Sequence, residues 1–115
     1  DVDLVLANRD GQGNKVYLNN GQLGFDIGVP FGTGRDETRS VAVADFNGDG
    51  RPDIATANIG EPNYIYFNSG DPSFKESVKF DASSSNSFSI TAIDLDFDGD
   101  QDLVVANAGV KMQFT

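Results

Sequence analysis

Asp45-Phe46-Asn47-Gly48-Asp49-Gly50-Arg51-Pro52-Asp53, followed by Ile54-Ala55-Thr56-Ala57-Asn58, returns 49 residues later as Asp94-Leu95-Asp96-Phe97-Asp98-Gly99-Asp100-Gln101-Asp102, followed by Leu103-Val104-Val105-Ala106-Asn107. The residues ahead of these stretches repeat in the same register, Ser40-Val41-Ala42-Val43-Ala44 matching Ser89-Ile90-Thr91-Ala92-Ile93. Asp3-Leu4-Val5-Leu6-Ala7-Asn8 is an earlier copy of the second block, at a spacing of 50. Tyr17-Leu18-Asn19-Asn20-Gly21 and Phe25 match Tyr66-Phe67-Asn68-Ser69-Gly70 and Phe74 at 49. The one-residue difference falls in the loop 9–13, where insertions are tolerated. A period in this range is the mark of a repeat architecture whose units bury their cores against one another.

Within the repeat the apolar pattern has period two, which means strands. The complete copy reads as strands 40–45, 53–58, 63–68 and 77–81, separated by the Asp/Gly loop, Gly60-Glu61-Pro62 and Ser69-Gly70-Asp71-Pro72. In the third strand of each copy one face stays apolar: Val16 and Leu18, Ile65 and Phe67, Met112 and Phe114. The opposite face varies between Tyr, Lys and Gln and is expected to be surface. Ala42, Val43, Ala55 and Ala57 put small or branched side chains on both faces of strands one and two, as in a sheet covered on both sides. The expected fold is all-β, built of four-stranded antiparallel β-propeller-type blades, with a solenoid as runner-up. The chain holds about two and a half repeats of 49 residues: 1–39 a partial repeat with strands two to four, 40–88 a complete one, and 89–115 a partial one with strands one to three. Residues 82–87, serine-rich, align with 32–37 and read as exposed loops between repeats.

Composition excludes much. The 115 residues contain 8 Lys and Arg against 18 Asp and Glu, for a net charge of −10, and no His or Cys. Clustered cations for nucleic acid are missing, as are the usual zinc ligands, a His-activated nucleophile and any disulfide framework. No apolar run reaches the ~18 residues of a membrane-spanning helix, so no membrane insertion is expected. Residue 1 is Asp and no signal-peptide pattern follows, so the chain is expected to be a mature product or a fragment.

The two acidic loops carry the chemistry. Oxygen-bearing side chains recur at positions 1, 3, 5 and 9: Asp45, Asn47, Asp49 and Asp53 in one, Asp94, Asp96, Asp98 and Asp102 in the other. The backbone carbonyls of Arg51 and Asp100, at position 7, add a further oxygen each. Gly50 and Gly99, at position 6, permit the sharp turn that folds these oxygens inward. Ca²⁺ takes 6–8 such ligands, with water completing the shell, whereas Mg²⁺ demands tighter octahedral geometry. Two Ca²⁺ sites are expected, and Asp1 and Asp3 hold positions 7 and 9 of an incomplete third. A plain turn explains one Asp-Gly loop but not two copies with four ligands in one register. An EF-hand is excluded, because position 12 is Thr56 or Val105 instead of Glu and the flanks are strands.

Other polar residues have simpler readings. Asp10, Asp26, Asp36, Glu37, Glu61, Asp71, Glu76 and Asp81 are scattered over turns and strand ends, a solvated pattern that argues against a paired-carboxylate hydrolase. Asn8, Asn58 and Asn107 close the second strand of each copy and are expected to cap the following turn. Tyr17, Tyr64 and Tyr66 offer a stacking surface or, more commonly for such residues, packing between sheets.

Asp45-x-Asn47-Gly48-Asp49-Gly50-x-x-Asp53, Ile54-Ala55-Thr56-Ala57-Asn58 and Asn63-x-x-Tyr66-x-Asn68-x-Gly70-x-x-x-Phe74 resemble the FG-GAP repeat family in its VCBS-type form, related to integrin-alpha propellers and several lectins. The resemblance runs through all three copies. It implies calcium-bearing blades, with structural Ca²⁺ between strands one and two. It also implies a non-enzymatic extracellular or cell-surface role in adhesion or binding of a protein or glycan. Phe97 departs from the pattern, standing where the family often has Gly. Seven blades of this length need about 340 residues, so an isolated chain leaves open edges at 3–8 and 110–115. Those edges allow an alternative role, a self-assembling subunit whose edges are completed by further copies of itself.

Overall fold

A computed structural model describes residues 2–22, 24–25, 27–71, 73–81 and 86–108. Every regular element among them is a strand, and every pairing is antiparallel. No helix among the described residues is long and apolar enough to cross a membrane. Strands β1 (Leu4–Leu6), β2 (Asn14–Leu18) and β3 (Ile27–Phe31) form a first sheet. Strands β4 (Thr38–Ala44), β5 (Asp53–Asn58), β6 (Asn63–Phe67) and β7 (Glu76–Asp81) form the second, in sequence order. Strands β8 (Ser87–Ile93) and β9 (Asp102–Asn107) form a third. Met112 and Phe114, Asp1, and Ser83 to Ser85 lie outside the described residues.

Around β5 the middle sheet is covered on both sides, and alternation along its strands decides which side chain goes where. Every residue of β5 is buried. Ile54 faces the first sheet and joins a cluster with Val16, Phe31, Tyr66 and Phe74. Ala55 and Ala57 face the third sheet and pack with Ala42 and Ile90. The first of these clusters is aromatic, the second small. Phe31 and Tyr66 meet edge to face at 5.3 Å between centroids, a favoured arrangement of ring quadrupoles.

Three expectations change. The varying face of the third strand is not surface in β6: Tyr66 is 5% exposed, because the first sheet lies over it, while Ile65 on the opposite face packs toward the third sheet. The loop 32–37 is not wholly exposed either. Asp36 is buried and accepts hydrogen bonds from Thr33 N and Oγ1, both at 2.9 Å. Finally, the first strand of the complete copy starts at Thr38, two residues early. The register shifts between Thr38 and Ser40, and again between Ser87 and Ser89 in the next copy. Each bulge inserts one residue, Arg39 or Phe88, and so turns the hydroxyl residue ahead of it toward the interior.

Candidate metal-binding loops and the polar ladder between sheets

Position 9 of each loop is the anchor. Asp53 is fully buried, its Oδ2 accepting from Phe46 N at 3.0 Å and its Oδ1 from Asn68 N at 2.9 Å. One carboxylate thus ties the loop entrance to the end of β6. Asp102 Oδ2 accepts from Leu95 N at 2.9 Å, and Asp3 Oδ1 accepts from Asn19 N at 2.9 Å, so each copy repeats part of the clamp. A buried carboxylate without such donors would be strongly disfavoured.

Position 1 organises the turn. Asp45 accepts from Gly48 N at 2.8 Å and Asp49 N at 3.2 Å on Oδ1, and from Gly50 N at 2.8 Å on Oδ2. These amides, Gly50 first, hold its carboxyl below the usual range. Asp94 repeats the arrangement with Asp98 N and Gly99 N at 3.2 and 2.9 Å. Gly50 and Gly99 adopt φ of 84° and 92°, the left-handed backbone that their lack of Cβ allows. Phe97 follows the same path as Gly48, with φ 58° against 77°, although it carries a bulky side chain that is 92% exposed.

In the second loop Asp94, Asp96 and Asp102 each place a carboxylate oxygen within 4.8 Å of the others. Oxygens at 2.3–2.6 Å from one Ca²⁺ lie within about that span of each other, so the trio fits a single cation of that size. The hydrogen bond shared with the Asp98 carboxyl is the main influence pushing Asp96 up, while the Asp100 amide pulls Asp98 down. Like charges this close disfavour full ionisation of the group. In the first loop Asn47 replaces Asp96, leaving one carboxylate fewer, and its Oδ1 accepts from Asp49 N at 3.3 Å. Asp49 and Asp98 spend one oxygen each on the amides of Arg51 and Asp100, at 2.9 Å. Asp3 is exposed.

A second set of polar residues lies between the sheets. Asn8, Asn58 and Asn107 do more than close their strands. Asn8 and Asn58 cap the turns that follow, Nδ2 donating to Gly13 O at 2.6 Å and to Pro62 O at 2.8 Å. Their own amides donate to Asn14 Oδ1 and Asn63 Oδ1, both at 2.7 Å. Asn14 Nδ2 then donates to Thr38 Oγ1 at 2.8 Å in the next sheet, and Thr38 Oγ1 donates to Asn58 Oδ1 at 2.7 Å. The same two links recur as Asn63 Nδ2 to Ser87 Oγ at 2.9 Å and Ser87 Oγ to Asn107 Oδ1 at 2.6 Å. Asn14, Thr38, Asn58, Asn63 and Ser87 are all at most 2% exposed. The ladder escaped sequence reading because Asn, Ser and Thr beside Gly and Pro look like turn residues; its signal was their recurrence at 49.

The chain matches the FG-GAP-like repeat family over residues 1–56 and 45–105. No curated protein and no solved structure matches it.

Proposed function

The chain belongs to the FG-GAP-like repeat family, and from that premise we propose that it is a non-enzymatic, calcium-stabilised module of a β-propeller, acting outside the cell or at its surface in adhesion or ligand binding. The observation that carries the calcium reading is the convergence of Asp94, Asp96 and Asp102 within 4.8 Å. Two features support the propeller. Successive sheets stack in sequence order, and β4 and β5 both pack against β8, as blades do around an axis. The cation neutralises crowded carboxylates and fixes the hairpin that joins strands one and two, so its role is structural. The binding-module role follows the character of the FG-GAP-like repeat family.

Extracellular calcium modules bind with dissociation constants of about 10⁻⁴–10⁻³ M. At tenfold excess over that constant each site stabilises the folded chain by about 1.4 kcal/mol. Thermal melting in calcium and in EGTA, with and without the Asp49→Ala/Asp98→Ala pair, tests the assignment. An unchanged calcium shift in the double variant rejects it. Among the described residues β1 stands at the end of its sheet's strand order, and a self-assembling subunit is the second reading. Sedimentation velocity in calcium and EGTA separates the two, large calcium-dependent species supporting assembly.

A further inference from the structure

Asparagine is followed by glycine at two places in the chain, Asn20-Gly21 and Asn47-Gly48. Glycine has no Cβ, so it leaves its own main-chain nitrogen unhindered for an approach to the preceding asparagine Cγ. That approach requires the side-chain amide to swing out of its hydrogen bonds and the main-chain nitrogen to be released from its acceptor. The two pairs differ in what holds them.

Asn20 is clamped. Its Oδ1 accepts from Gln22 N at 2.8 Å and Gly24 N at 3.1 Å, its own N donates to Gly24 O at 3.0 Å, and Gly21 N donates to Asn19 Oδ1 at 2.9 Å. The side-chain amide lies against Gly24, where a Cβ would have no room. Asn47 is exposed in the first acidic loop, and its Oδ1 accepts from Asp49 N at 3.3 Å. Gly48 N donates to Asp45 Oδ1 at 2.8 Å. Gly48 turns through φ 77°, and nothing beyond its chain neighbours lies within 4 Å of where its Cβ would stand. Four hydrogen bonds thus hold the first pair and two hold the second. Counting the bond to the Asp45 carboxylate about double for its charge, Asn47-Gly48 is held by about one bond less. The second acidic loop has Asp96 and Phe97 at these positions, a carboxylate already in place and a bulky residue after it.

We propose that Asn47 is a deamidation site, at which the first acidic loop is converted to the carboxylate set of the second. Gly48 N gives up its proton and attacks Asn47 Cγ. The bond from Cγ to Nδ2 breaks, and ammonia leaves with that proton. The five-membered imide then takes up one water. Opening at Cγ gives aspartate on the normal backbone, and opening at the main-chain carbonyl carbon gives isoaspartate, whose backbone runs through the former side chain. Water is the sole co-reactant. The aspartate product offers at position 3 the carboxylate that Asp96 offers in the other loop, while the isoaspartate product lengthens the loop backbone by one carbon. The consequence for cation binding rests on the calcium reading above; the modification itself does not.

To test this, the full chain is incubated in mildly alkaline buffer with EGTA, and peptides covering the two pairs are followed by mass spectrometry. Electron-transfer fragmentation separates aspartate from isoaspartate. The expected result is conversion at Asn47 about fivefold faster than at Asn20, the weight of one hydrogen bond. Gly48→Ala, whose Cβ has open space, should all but stop conversion at Asn47 and leave the Asn20 rate as it was. The Asn20 rate also reports folding, since an unfolded variant releases both pairs together. Equal rates in the parent chain, faster conversion at Asn20, or undiminished conversion at Asn47 in folded Gly48→Ala overturns the inference. A parallel incubation in calcium separates the two readings. Slower conversion at Asn47 is expected of a ligated amide; an unchanged rate counts against calcium in this loop and leaves the deamidation site standing.

Discussion

Asn63 Nδ2 donates to Ser87 Oγ at 2.9 Å, joining the second sheet to the third, and Asn14 Nδ2 makes the same bond to Thr38 Oγ1 between the first and the second. Each asparagine also accepts a main-chain amide from its own sheet at 2.7 Å, Asn63 that of Asn58 at the end of β5 and Asn14 that of Asn8, two residues past β1. One side chain therefore closes a turn within its sheet and grips the neighbouring sheet.

Asn63→Ala removes both bonds and leaves the Asn58 amide without its partner in a fully buried setting. A stranded buried donor costs about 1–3 kcal/mol. The expected loss is about 2–4 kcal/mol, with the lost amide packing included. Urea denaturation checks it. In a double-mutant cycle with Ser87→Ala the pair should couple by about 0.5–3 kcal/mol. Strictly additive losses would place Asn63 outside the inter-sheet link.

Phe97 holds φ 58° with its ring 92% exposed, so its conformation carries a steric cost and gains little burial. Left-handed backbone costs an L-residue roughly 1–2 kcal/mol. Phe97→Gly is expected to stabilise the chain by about 1 kcal/mol, because glycine gives back part of the gain as entropy in the unfolded chain. Differential scanning calorimetry would register a higher melting temperature. A lower one would mean that the ring has a contact partner in solution.

The two acidic loops should differ in cation affinity. Asp96 gives the second loop a carboxylate where the first has the Asn47 amide. With its extra charge, the second loop is expected to fill first in a calcium titration followed by amide chemical shifts. Asn47→Asp should bring the two sites closer in affinity. Simultaneous filling of both loops in the parent chain counts against charge as the deciding factor.

Burial, followed by the Asp36 carboxylate, pushes the Tyr66 hydroxyl well above the ordinary phenol value. Above pH ~10 the unfolded chain releases this proton while the folded chain retains it. The folded state then binds more protons, so stability falls as pH rises, and it is fully present below that range. Denaturation at pH 9 and pH 11 should show a steeper alkaline decline for the parent chain than for Tyr66→Phe. Equal slopes would mean that Tyr66 is hydrated.

Much of this fold was legible because the same pattern is written more than once. Strands 53–58 and 63–68 were readable from alternation and turn residues, and the structure ends the latter at Phe67. Gly50 and Gly99 were readable as left-handed positions because carboxylates flank them at loop spacing. Tyr66 was open to two readings, a varying surface face and packing between sheets, because alternation assigns two faces and does not say what covers each; the stacked first sheet decides for the second. Thr38 and Ser87 were missed as strand residues for a related reason. A bulge breaks period two, and the pairing that compensates for it lies across the sheet, beyond the reach of local pattern. Asp36 looked solvated because its partner, Thr33, is a turn residue three positions away.

The two interfaces of the middle sheet share their asparagine–hydroxyl links and differ in their filling, one with Phe31, Tyr66 and Phe74, the other with Ala42, Ala55 and Ala57. Attachment and filling are thus separable. A duplicated block of 49 residues cut anywhere in the repeat brings its own donor and acceptor to each new junction, whatever apolar side chains happen to meet there.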